Sequence, residues 1–194
     1  MCKLTISEQV RRNVETVPHT IQIRSLQTVG DGEIQALSDV LIDCVEGGAS
    51  VGFMQPLSRA KANAFWLGVA AGVARGERIL LAAQDAAGAI VGTVQLVFAQ
   101  FENQPHRADI AKMLVHGRAR RRGIAERLMR AAEAAALAAG KTVLVLDTVT
   151  GGDAERLYAR IGWAKVGVIP NYALFPDGRP CATTYFYKAL GPQP

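Results

Sequence analysis

The segment from His116 to Arg130, HGRARRRGIAERLMR, sets six arginines against one glutamate and follows them with Gly123, Ala125 and an apolar helical pattern. Cations crowded at one point need solvent or an anion beside them, so this stretch reads as a loop running into the first turn of a helix. First-turn N–H groups lack intrahelical partners, and the helix dipole adds about half a positive charge there. Loop and helix start together form an anion receptor. Gly123 and Ala125 let a phosphate reach the backbone, and Arg120, Arg121 and Arg122 offer paired donors to its oxygens. The formal net charge of the whole chain is +5, the same as that of the segment, so the remainder is neutral in sum. One concentrated anion site follows, suited to a diphosphate, and not the extended basic face with interleaved aromatics that a nucleic acid requires. The bland alternative is a solvated arginine face.

The rest of the chain reads as one domain over residues 20–191 behind an N-terminal tail, 1–19, that is polar and without clear periodicity. HTIQIRSL alternates as a first strand. Ile34, Leu37, Val40, Leu41, Cys44 and Val45 recur at helical spacing up to Gly47, and Ser58 caps a second helix running to about Arg75. RILLAAQ and IVGTVQLVFAQF form a hairpin, and ADIAKMLVH adds a third strand to it. A helix over 123–138, a buried strand TVLVLDTV and a short helix DAERLYARIG follow. AKVGVI and TTYFYKAL supply the last strands. The order implies an α/β (α+β) fold: a mixed sheet with helices on both faces. Trp66, at helical spacing, belongs in the core. Cys2, Cys44 and Cys181 show no metal or disulfide spacing, which suggests a reducing compartment, the cytoplasm. No apolar run is long enough for a bilayer, so neither a membrane nor a metal is expected.

Neither a P-loop nor Gly-x-Gly-x-x-Gly is present. Arg120-x-x-Gly123-x-Ala125, between KMLV and ERLMRAAEAAA, resembles the (Gln/Arg)-x-x-Gly-x-(Gly/Ala) signature of the GNAT superfamily of N-acetyltransferases, in a matching order of elements over most of residues 20–190. GGASVGFM, LDT, IPNYALFPDGR and TTYFYKALG resemble, more narrowly, the tabtoxin-resistance acetyltransferase branch. The resemblance implies a mostly antiparallel seven-stranded sheet whose central strands splay, with acetyl-CoA as cosubstrate. Its pantetheine arm would pair with Met113, Leu114 and Val115, and the Leu114 N–H would face the thioester oxygen. The backbone of Arg120, Arg121, Arg122, Gly123, Ile124, Ala125 and Glu126 would surround the diphosphate.

AERLYARIGW resembles the family's second signature, with Trp163 where Phe is usual. The resemblance makes Tyr158 the proton donor to the departing thiolate, and a phenol of pKa about 10 suits that role. An amine arrives as an ammonium and must lose a proton, which points to Asp147 in LDT; Glu46, Glu102 and Asp109 are weaker candidates. The family's usual Asn before the second signature is Gly151 here, so that pantetheine contact is either lost or moved to Gly152 or Asp153. The partner implied is a small-molecule amine, amino-acid-like or an antibiotic, and the C-terminal strand leaves a homodimer open. Two other classes remain at this point: a non-catalytic acyl-CoA binder, and a serine hydrolase using Gly48-x-Ser50-x-Gly52 with His19, His106 or His116.

Overall fold

Seven strands form one sheet in the order β1-β2-β3-β4-β5-β7-β6. They are β1 (Gln22–Ser25), β2 (Arg78–Gln84), β3 (Ile90–Phe98), β4 (Arg107–Val115), β5 (Val143–Val149), β6 (Ala164–Leu174) and β7 (Pro180–Ala189). The helices are α1 (Asp31–Glu46), α2 (Arg59–Ala74), α3 (Ile124–Ala138) and α4 (Asp153–Arg160). This computed structural model describes residues 21–191, so the expected tail over 1–19 lies outside the described residues. Every neighbouring pair is antiparallel except β4 and β5.

The two helix pairs cover opposite faces, each burying one row of side chains against the sheet. Ile34, Leu37, Leu41 and Val45 of α1 and Ala62, Trp66 and Val69 of α2 pack with Leu80, Ala82 and Leu114. Trp66 is fully buried, as its spacing predicts. Ile124, Leu128, Met129, Ala132 and Ala136 of α3 join Leu157 and Tyr158 of α4 against Ile110, Leu144, Leu146 and Phe186. Ser58 caps α2, its hydroxyl accepting from the Lys61 N–H at 3.3 Å.

The feature that matters most is where the sheet fails. β4 and β5 pair over three residues only, Arg107 with Val143, Ala108 with Leu144 and Asp109 with Val145. Beyond Asp109 the strands part, and β5 stays with β7 along its whole length. A bulge in β4 works in the same direction: Thr93 stands opposite Leu114 and Gln95 opposite Ala111, so Val94 faces both Lys112 and Met113. Lys112 takes φ 48° there. An inserted residue sharpens the local twist and bends the strand away from its neighbour.

The last hairpin departs from expectation. β6 extends five residues beyond AKVGVI, and β7 begins at Pro180 rather than Thr183. Two register shifts, between Lys165 and Gly167 and between Ile169 and Ala173, break the period-two pattern, so alternation marks only the first part of the strand.

Candidate active site

The splay opens into a cleft of about 1060 Å³ that runs from the loop before α3, past the free edges of β4 and β5, to the loop after α1. The expected residues Met113, Leu114, Val115, Arg120, Arg121, Gly123, Ile124, Ala125, Glu126, Asp147, Gly152, Asp153 and Tyr158 all line it; Arg122 does not.

At the phosphate end the arginines divide. Arg118 pairs with Asp85 at 3.2 Å, Arg127 donates to the Ile21 carbonyl at 2.5 Å, and Arg130 lies between Glu126 and Glu133. Arg120 folds back under β4, its Nε donating to the Val115 carbonyl at 3.2 Å and a terminal nitrogen lying 3.9 Å from the Cys44 thiol. Its side chain therefore buttresses the strand, in contrast to the expected phosphate clamp. Arg121 and Arg122 make no side-chain hydrogen bond or ion pair among the described residues, which leaves Arg121 as the guanidinium available at the cleft wall. The backbone here is unusual: Arg121 has φ 61° and Gly123, which caps α3, φ 73°. A Cβ built on Gly123 meets nothing within 4 Å. The left-handed turn aims the first amides of α3 into open space, as an anion cradle requires. Asp43 of α1 pins this loop, accepting from the Gly117 N–H at 2.6 Å with His116 Nδ1 at 3.3 Å. Nothing in the local pattern singles out Asp43, because its partner is 74 residues away.

The β4 backbone moves one expected role. His116 donates to Val91 at 2.9 Å across the β3–β4 ladder, and bonded pairs alternate in an antiparallel ladder. Leu114 and Thr93 are therefore a bonded pair, and the Leu114 amide is turned toward β3. Val115 faces the gap, where its carbonyl receives Arg120 and, at 3.5 Å, the Cys44 thiol. Met113, opposite the unbonded position Val94, carries the next amide with no β3 partner.

At the chemical end, Tyr158 is 5% exposed, its ring centroid 6.1 Å from those of both Phe186 and Trp163. Burial, with the Asp147 carboxylate adding to it, drives the phenol well above its ordinary range. Asp147 stands opposite Tyr185 in the β5–β7 ladder. Desolvation raises its carboxyl above the usual value, and the Lys112 ammonium holds part of that rise back. Lys112 shifts the other way, lowered by burial and partly restored by Asp147. Its Nζ sits 5.5 Å from the Phe65 ring centroid. The sequence reading did not single out Lys112.

At the N-terminus of α4, the Gly151 N–H donates to Glu155, and Arg156 bonds the Gly151 carbonyl and the Asp153 carboxylate. Gly152 caps the helix. Asp153 is turned outward, and Glu126 pairs with Arg160 at 3.2 Å, so both carboxylates by the phosphate end have cationic partners. Of the weaker carboxylates, Glu46 accepts from the Leu57 N–H and Asp109 pairs with Arg107 at 2.6 Å.

Ser50 does not form a nucleophile elbow. A helix precedes it rather than a strand, its hydroxyl donates to the Leu174 carbonyl at 2.7 Å, and neither His106 nor His116 bonds it. Ser50→Ala should leave any acyl-transfer activity within about twofold of the parent in a thiol-release assay, because among the described residues no base is placed to activate the hydroxyl.

An anion cradle at a helix start, a parted parallel pair and a cleft through the gap define an acyl-transferase fold. Comparison with known proteins makes the assignment narrower. Residues 47–163 match the family model "Acetyltransferase (GNAT) family", and the chain belongs to that family. Over 129 residues, 66% of this chain and 74% of its counterpart, it is 33% identical to an N-acetyltransferase from the hisH-hisA intergenic region of Azospirillum brasilense. Among solved structures, a protein of Acinetobacter baylyi ADP1 assigned as an acetyltransferase superposes with a TM-score of 0.74 at 18% identity, covering 90% of this chain and 97% of that one. A Salmonella typhimurium protein assigned as an acetyltransferase, solved with acetyl-CoA, gives 0.72 at 17% identity over 90% and 96%. At these identities the structures speak for the fold.

Proposed function

We propose that the chain moves an acetyl group from acetyl-CoA to a primary amine of a small molecule, by direct attack while both substrates are bound. The observation that carries this reading is the single cleft that joins an open left-handed glycine before α3 to a carboxylate and a buried phenol across the splay. The residues fit a diphosphate thioester: unopposed amides and Arg121 for the phosphates, and the gap-facing backbone of Val115 and Met113 for an extended amide-bearing arm. The bound thioester supplies an activated acetyl carbon. Around it, the Met113 amide takes the place first expected of Leu114 as donor to the carbonyl oxygen, where charge grows during attack. Asp147 receives the proton that the ammonium must lose. Tyr158, held protonated by its burial, gives its proton to the departing sulfur. The acceptor is amino-acid-like or an antibiotic, in keeping with the resemblance of LDT and its companion segments to the tabtoxin-resistance branch.

The test is a thermal-shift titration with acetyl-CoA followed by thiol release with a panel of amines. Saturation at about a hundredfold over Kd adds about 2.7 kcal/mol of stability. Bound acetyl-CoA with no amine ever acetylated would instead identify a non-catalytic binder.

The raised carboxyl gives a pH signature. Activity that needs ionised Asp147 falls on the acid side through a pKa above the ordinary 3.8. Asp147→Asn should remove that limb from the kcat/KM profile and lower the plateau by about 10²-fold, the lower end of general-base contributions. Stability runs the other way. The native state holds this proton to higher pH than the unfolded chain, so the associated stability is full below the unfolded pKa and lost as pH rises through the folded one. Asp147 is exposed on the cleft wall, so solvent screens most of this effect, and the Asn variant should melt close to the parent. Desolvation is the main cause of the Asp147 shift, with Lys112 of β4 opposing it and Asp109 of β4 adding to it; the same carboxylate adds to the rise that burial gives Tyr158 of α4 and that the Tyr172 hydrogen bond gives Tyr185 of β7.

A further inference from the structure

We infer that Lys112 is the specificity-determining residue of the acceptor site and that it selects amines carrying a carboxylate close to the reacting nitrogen, as in an α-amino acid. The inference rests on the acetyl-transfer reading above and adds to it a residue and a required group. It begins with the bulge. A regular β4 would place residue 112 in the ladder with β3, but the extra residue and φ 48° lift Lys112 out of register. The side chain then lines the cleft just where β4 leaves β5. Non-glycine residues adopt this left-handed conformation only at a cost, and such strain concentrates where geometry serves a site.

The ammonium so placed has company but no partner. The Phe65 ring lies 5.5 Å from it, and the loop after α1 passes so near that a Cβ on Gly52 would come within 3.8 Å of Nζ. A ring face stabilises a cation yet leaves its N–H donors without acceptors. Among the described residues Lys112 makes neither a hydrogen bond nor an ion pair. Asp147 is near enough for each group to shift the titration of the other, yet the two form no contact ion pair.

A partly desolvated ammonium without an acceptor, facing a carboxylate across an opening, is complementary to a zwitterion: the ligand's ammonium toward Asp147 and its carboxylate toward Lys112. An amine without a carboxylate would leave Lys112 unpaired and further desolvated when the cleft fills, and a site with an orphaned charge rejects such a ligand. The remaining lining at this end, Ala49, Ser50, Val51, Ala173 and Phe175, adds no charge, and the nearby Arg179, 5.2 Å from the Phe175 ring centroid, is paired with Asp177, which leaves Lys112 as the cation without an acceptor among the residues described there.

The experiment compares the standard α-amino acids with their α-carboxamides as acceptors, reading kcat/KM by thiol release at fixed acetyl-CoA, for the parent, Lys112→Met and Lys112→Arg. In the parent, the reactive amino acid exceeds its amide by about tenfold or more, the discrimination one charge-assisted hydrogen bond confers. Lys112→Met, of similar length, brings the ratio to within about twofold, mainly through KM for the acid, and Lys112→Arg restores part of it. An acid-to-amide ratio near one in the parent, or one unchanged in Lys112→Met, overturns the inference and leaves acetyl transfer standing. So does an equal fall in kcat on acid and amide with the preference kept, because that pattern assigns Lys112 to tuning Asp147. The acetyl-CoA thermal shift, read in parallel, reports on the diphosphate end alone. If that shift is present and no amine of any kind is acetylated, the parent reading fails and takes this one with it.

Discussion

Tyr158→Phe should reduce kcat by about 10²-fold or more, the usual contribution of a positioned general acid, while leaving the acetyl-CoA thermal shift where it was. The two readouts separate because the hydroxyl and the ring do different work. The ring is part of the core beneath α4, near Trp163 and Phe186, and Phe keeps it. The hydroxyl faces the cleft, where burial and the Asp147 carboxylate hold its proton far more tightly than water would. A phenol held that far above its ordinary range stays protonated at neutral pH and is a donor there. In the proposed reaction its proton would move to a base formed beside it, the departing thiolate. It follows that the basic limb of the pH profile should not report Tyr158. A Tyr158→Phe variant with normal kcat would remove the phenol from the chemistry and leave a core tyrosine.

Gly123→Val should abolish the acetyl-CoA shift in the same titration, a loss of the full increment of about 2.7 kcal/mol expected near saturation. The space around Gly123 is open, so the effect does not come from a clash in the folded protein. It comes from φ 73°, which a β-branched residue resists, and from the methyl groups that would stand where phosphate oxygens meet the amides of Ile124 and Ala125. The unliganded protein should lose only about 1–2 kcal/mol, the cost of one L-residue in the left-handed region. Gly123→Ala separates the two causes: it carries most of the backbone strain with a single methyl group, and should bind weakly where Val does not bind. Normal binding by both variants would move the phosphate site away from α3.

The arginine segment shows how far local pattern reached. Loop, glycine and helix start were all legible, because capping and the period of α3 are properties of adjacent residues. The fate of each arginine was not. Arg118, Arg120 and Arg127 look alike in sequence, yet they end on Asp85, the Val115 carbonyl and the Ile21 carbonyl, and of the segment's two arginines at the cleft wall only Arg121 has no side-chain partner among the described residues. The same limit explains Leu114: spacing put it on the right strand, whereas the bonded alternation of β3 and β4 decided which amides face the gap.

The chain by itself determined its helices, the central strands, the glycine-led start of α3 and the positions of Tyr158 and Asp147, since these follow from periodicity, caps and short motifs. Only the tertiary structure decided that β4 bulges opposite Val94, that Lys112 is thrown into the cleft, that Asp43 holds the loop before α3 and that Ser50 bonds a strand carbonyl instead of a histidine. The physical reason is common to all four. Each depends on the register or packing of segments far apart in sequence, and no local propensity encodes which of several compatible registers has the lowest free energy.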